Sequence, residues 1–122
     1  MPEESRVSIS ERYGDRVLDR LDDLIDHCRE AEELVADGKP ALLASWRQQR
    51  AAEAVIGRIG DTASHLPARF RDEFDGQPWN LIVGIRITVA HKYHDLDYHQ
   101  VWTALVGARA LRLYVEDDIL GR

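Results

Sequence analysis

Apolar residues in this chain recur at intervals of four and three, and the spacing holds over three separate segments. Val17, Leu21, Leu24, Cys28, Ala31 and Val35 form the first set, Ala52, Ile56, Ile59, Ala63 and Leu66 the second, and Val101, Leu105, Ala108, Leu111 and Val115 the last. A repeat near 3.6 residues draws each set along one face of a helix. Each such helix must hide its stripe, and stripes of this kind hide best against one another. Leu18, Ile25 and Leu34 widen the first stripe, while Arg16, Asp19, Arg20, Asp22, Asp23 and Arg29 occupy the opposite side, so residues 10–36 read as one long amphipathic helix. Gly38 followed by Pro40 ends it and starts the next.

The second helix takes in Leu42 and Trp46 as an upstream continuation of its stripe and stops before Pro67. Residues 67–76 are short and charged, with room for one or two turns that hold Phe70 and Phe74 against the rest. Pro78 suits a first helical turn, and Leu81, Ile82, Ile85 and Val89 predict the buried side of a third helix reaching His91. The β-branched run there also suits a strand, but no partner strand exists and the neighbours are helical. Asp97-Tyr98-His99-Gln100 has capping-box spacing, with Asp97 capping the backbone and Gln100 reaching back, and opens a fourth helix with Trp102 beside its stripe. The expectation is an all-α antiparallel four-helix bundle with an additional short helix, in a single domain over residues 1–122. Residues 1–9 form a polar tail and residues 118–122 fray. Trp46, Trp79 and Trp102 go to the core or to a dimer interface.

Composition narrows the function. Of 122 residues 44% are hydrophobic and 31% charged, enough apolar surface to offset the ordering entropy of a fold. Lys and Arg number 16 against 22 Asp and Glu, a formal charge of −6. That field repels polyanions at long range and excludes a general nucleic-acid coat protein. Screening over ~8 Å still leaves an arginine-centred patch able to hold a phosphate. Arg47, Arg50 and Arg58 read as a solvated or ion-paired face. Cys28 is alone, which predicts a buried small hydrophobe and a reducing, cytoplasmic setting. Residues 1–10 lack the apolar core of a signal peptide, and no stretch nears the ~20 apolar residues of a membrane span, so a soluble protein is expected.

The chemistry sits in Arg86, His91, Lys92 and Tyr93, at the end of the third helix. Read singly, these residues are ordinary: a bundle arginine paired with Asp61, a histidine at a helix C-terminus, a turn aromatic. Together they suit phosphodiester chemistry. Arginine offers a permanently charged fork to a phosphate, histidine exchanges a proton near neutrality, and RNA brings its own nucleophile in the 2′-hydroxyl. Five residues at ~100° each separate Arg86 and His91 by ~140° on an ideal helix. They converge only if the helix unwinds at the histidine or a second chain completes the site, and a two-fold dimer would supply the second pair. The stretch His91, His94, Asp95, Asp97 and His99 is rich in metal-ligand types, but Asp97 is committed to capping and the spacing matches no familiar ligand set, so no metal is expected.

Arg86 and His91 with four residues between, followed by Lys92 and Tyr93, resemble the Arg-x4-His-x-Tyr motif of the HepT-like toxins of the HEPN superfamily. Arg50-Ala51-Ala52-Glu53, Ile59-Gly60-Asp61, Leu66-Pro67, Pro78-Trp79, Ile85-Arg86, Asp95-Leu96-Asp97 and Val101-Trp102 follow in that family's order, so the likeness is close over residues 51–102. The resemblance implies a homodimeric, cofactor-free and metal-independent endoribonuclease of a type VII-like toxin–antitoxin pair, acting on RNA such as tRNA. It also implies a nucleotidyltransferase antitoxin of the MNT type that adenylylates Tyr93. Arg86 and His91 inherit the catalytic roles, with Asp61 and Lys92 as supporting candidates. Two positions depart from the pattern: Ile87 stands where a polar residue usually follows the motif arginine, and Gly60-Asp61 where Gly-Glu is usual. The first departure supports an alternative, a catalytically weak helical dimer that serves as partner or nucleotide-binding subunit of a nucleotidyltransferase.

Overall fold

A computed structural model of the chain describes the backbone of residues 2–92 and 96–121, with side chains over residues 3–85 and 96–121. The described residues form seven α-helices and a closing π-helical turn, with no strand among them: α1 Pro2–Tyr13, α2 Asp15–Ala36, α3 Lys39–Ala44, α4 Trp46–Ser64, α5 Ala68–Glu73, α6 Trp79–Lys92, α7 Tyr98–Leu113, and the turn Tyr114–Ile119. The all-α expectation holds. The four long helices α2, α4, α6 and α7 make the bundle, and the third segment is a helix despite its β-branched content.

The stripes of α2, α4 and α7 are buried as their spacing requires. Val17, Leu21, Leu24, Cys28 and Ala31 are buried on α2, Ala52, Ile56, Ile59 and Ala63 on α4, and Val101, Leu105, Ala108 and Leu111 on α7, and α2 packs against both α4 and α7. Gln48 Nε2 donates to Asp37 Oδ2 at 3.1 Å and Arg58 pairs with Glu30, so α4 runs antiparallel to α2. Arg112 of α7 bonds Glu32 while Arg29 bonds Glu116, so α7 is antiparallel to α2 as well.

Several boundaries differ from the sequence reading. Residues 1–9 are not a tail, because Pro2–Tyr13 is helical and docks on α2 through buried Ile9 and the Arg6–Asp22 pair. Gly14, at φ 95°, breaks what the periodicity read as one helix from residue 10. The chain end does not fray: the π-helical turn buries Val115 and Ile119, and Leu120 after it is buried too. Ser45 adopts an extended conformation (φ −117°, ψ 119°) and caps α4, so α3 and α4 are separate helices with independent phase. Leu42 is buried as expected, but Trp46, at the first position of α4, is 65% exposed.

On α6, Leu81 is 73% exposed rather than buried, and Trp79 is buried within the chain, with its indole N–H donating to the Phe74 carbonyl at 2.6 Å. Trp79, Ile82 and Val83 set the inward face, and Leu81, ~200° around from Trp79, turns outward. Val89 has no described side chain. Asp97 caps α7 by accepting from the His99 N–H at 2.9 Å, so its side chain closes the first turn one residue short of the position a capping box uses.

Candidate active site

The backbone of α6 is helical from Trp79 through His91 to Lys92. Arg86 therefore occupies the register two turns beyond Trp79, and His91 follows it by five residues on the same uninterrupted helix. The ~140° separation expected from spacing is kept on this backbone, and the route in which the helix unwinds before the histidine is not taken. The side chains of Arg86, His91 and Lys92, and all of Tyr93, lie outside the described residues. Asp61 sits on the last two turns of α4, where its carbonyl accepts from the Ser64 hydroxyl at 2.5 Å and its carboxylate lies 4.0 Å from His65 Nδ1.

The end of the bundle that α6 reaches is tied together by a polar cluster. Glu53, buried on α4, accepts from the Tyr98 hydroxyl at 2.9 Å and from Arg50, and Arg50 Nη1 also donates to the Tyr98 oxygen at 3.1 Å. The Tyr98 hydroxyl first, and Glu53 second, hold the Arg50 guanidinium in its charged form. Tyr98 opens α7, so this contact ties the start of α7 to the first half of α4. A buried carboxylate needs such partners, because desolvation without them would be expensive. The signal was present in the sequence: Glu53 falls inside the apolar face of the second helix, three residues before Ile56.

A groove of about 450 Å³ opens beside the cluster, lined by Ile56, Leu81, Gly84, Ile85, Leu96, Val101 and Ala104 among others. Its walls are mostly apolar and join exposed Leu81 to the start of α7. Ile85 of α6 and Ile56 of α4 share the groove, which with the Tyr98–Arg50 bond sets α6 running toward the N-terminal half of α4.

The family profile described as Ribonuclease HepT-like matches residues 24–116, which takes in α4, α6, α7 and most of α2. The chain belongs to the HepT-like ribonuclease family. Two curated relatives are similar over a shorter stretch. "Putative RNase MJ1380" of Methanocaldococcus jannaschii is 36% identical over 44 residues, 36% of this chain and 40% of that protein. "Putative RNase TTE0752" of Caldanaerobacter subterraneus subsp. tengcongensis is 31% identical over 48 residues, 39% of this chain and 43% of that protein. The matched stretch thus spans about two fifths of the length of each curated relative. No solved structure gives a significant match. Membership agrees with the all-α bundle and puts Arg86, His91 and Tyr93 inside the matched span, along with Glu53 and Tyr98. No described helix is long and apolar enough to cross a membrane.

Proposed function

We propose that this HepT-like chain is a metal-independent endoribonuclease, the toxin of a toxin–antitoxin pair, with Arg86 and His91 as its catalytic residues. The observation that carries the reading is the unbroken α6 backbone, which keeps the Arg-x4-His pair on one continuous helix inside the family-matched span. His91 removes the proton from an RNA 2′-hydroxyl, and the freed oxygen attacks the adjacent phosphorus. Arg86 stabilises the charge that builds on the phosphoryl oxygens, and the proton returns to the departing 5′-oxygen. The products are a 2′,3′-cyclic phosphate and a 5′-hydroxyl. The nucleophile belongs to the substrate, so the step requires no metal.

The ~140° between the two residues on a continuous helix favours a site completed by a second copy across a two-fold axis. Exposed Leu81 and the apolar groove behind it support a homodimer built on the α6 side of the bundle. Tyr93, two residues beyond His91, is the proposed point of adenylylation by an MNT-type nucleotidyltransferase antitoxin. A linked AMP would add about one negative charge next to Arg86 and block an RNA phosphate both sterically and electrostatically. Asp61 and Lys92 are the proposed supporting groups, and the cytoplasm, where such RNA and a reduced Cys28 coexist, is the proposed location.

Cleavage of RNA in the presence of chelator tests the reading. His91→Ala should lower the rate by ~10²-fold or more, the scale of a positioned general base. Retained activity in that variant would exclude the role. Ile87 favours a second reading, a catalytically weak dimer serving as the subunit of a nucleotidyltransferase. In that case wild-type protein leaves RNA intact with or without metal, yet still co-purifies with the coexpressed nucleotidyltransferase. Mass spectrometry of coexpressed protein should find AMP on the Tyr93 peptide and none in Tyr93→Phe. Equal silencing of Tyr93→Phe would show that inhibition works by binding alone.

A further inference from the structure

Trp46 occupies the first turn of α4 and is 65% exposed, although its register is an inward one. Seven residues separate it from buried Glu53, so the two share an azimuth on the helix, with Arg50 between them one turn on. Lower on that azimuth Tyr98 covers Glu53, but at Trp46 the indole remains open. Trp46 therefore overhangs the end of the bundle toward which α6 delivers His91 and Lys92 and at which α7 begins. Arg47 lies against the same indole, its guanidinium carbon 5.6 Å from the ring centroid, and makes no ion pair among the described residues. Arg50, one turn away, is committed to Glu53 and Tyr98, and the N-terminal end of α4 carries positive dipole character.

An open indole with a guanidinium beside it is the pairing that takes an unstacked base together with its phosphate. We infer that Trp46 and Arg47 form a substrate-positioning platform, on which a base of single-stranded RNA stacks on Trp46 while Arg47 holds the neighbouring phosphate. The inference rests on the ribonuclease reading and extends it, because it names the conformation of the RNA and a contact outside Arg86 and His91. Leu81, also strongly exposed, has Arg71 in the pocket it lines but presents no ring on which a base could stack.

The test is binding of a short single-stranded 2′-O-methyl oligoribonucleotide of mixed sequence, which lacks the attacking hydroxyl and so is held without being cut. Fluorescence anisotropy across a salt series should show Trp46→Ala weakening binding about tenfold, the usual scale for loss of one stacked base, and Trp46→Phe retaining most of it. Arg47→Ala should reduce the salt slope by about 0.7, one phosphate contact on a single strand. Circular dichroism should be unchanged in all three variants, because neither side chain enters the core. Unchanged affinity in Trp46→Ala overturns the platform and leaves the ribonuclease reading intact. A shift in oligomeric state by light scattering, with RNA affinity per protomer preserved, also overturns it and assigns Trp46 to a protein interface. Failure of the wild type to bind the oligonucleotide overturns both.

Discussion

The seam between α2 and α7 and the end of the bundle where α6 meets α4 handle charge in opposite ways. At the seam Arg112 donates to both oxygens of Glu32, at 2.6 and 2.9 Å, and to Glu116 at 3.0 Å. Glu116, 4% exposed, takes a further bond from Arg29 at 3.0 Å. Cys28, fully buried beneath this network, has its thiol pushed up to about 12, chiefly by desolvation. At the other end Arg47 and Trp46 face solvent, and the Tyr98–Glu53–Arg50 cluster is closed on itself. One region spends its arginines on internal partners and the other leaves Arg47 facing solvent. With a net charge of −6, it is this local allocation, more than the total, on which the proposed binding of RNA depends.

Removing the seam's central cation should have the largest effect on stability. Arg112→Ala deprives Glu116 and Glu32 of their shared partner, and chemical denaturation should register a loss of about 3 kcal/mol. A loss below the ~0.5 kcal/mol typical of surface changes would mean that the network is ornamental. Gly76→Ala should come next, because a Cβ there would lie 2.3 Å from the Tyr114 ring, whose hydroxyl accepts from the Gly76 N–H at 3.1 Å. Relieving that overlap should cost about 1–3 kcal/mol and disturb the chain just ahead of α6, so stability and RNA cleavage should fall together.

The pH dependence of stability sharpens the contrast. Arg112 holds the Glu32 carboxyl below its ordinary range, so this pair contributes stability above the unfolded carboxylate value and loses it as pH falls through the folded one. Arg112→Ala should flatten that acid limb. Cys28 works at the other extreme, since its folded value lies above its unfolded one. Its contribution is complete below roughly 8.5 and drains away as pH rises toward about 12. Cys28→Ala should flatten the alkaline limb, and native Cys28 should resist iodoacetamide at pH values where the denatured chain reacts. The smallest effect belongs to the α6 surface. Leu81→Ser should change the stability of the monomer by less than ~0.5 kcal/mol, while light scattering should show weaker self-association if the apolar groove is a dimer face.

Much of the architecture could be read from the spacing of apolar residues. The stripes on α2, α4 and α7 are buried in their predicted registers because an amphipathic helix has one way to hide its apolar face, and a 3.6-residue period identifies that face without knowledge of the partner. The Arg86–His91 spacing likewise carried its ~140° consequence in advance, since a continuous helix leaves the angle no freedom. Glu53 could have been noticed as a charge inside an apolar stripe, but Tyr98, 45 residues later, could not have been named as its partner.

What only the tertiary structure decided lies at helix ends and on the one helix without a clean polar face. Ser45 ends α3 and caps α4, and Trp46, left at the first turn of α4, is exposed although it keeps the register of buried Glu53. Trp79 takes the core and Leu81 turns outward against expectation, because α6 is apolar nearly all round and its sequence does not say which side faces inward. Ile9 and Leu120 are buried in segments too short or too polar to show a period. Local spacing specifies a helix and its stripe, whereas rotation, breaks and docking of short ends depend on contacts between residues far apart in the chain.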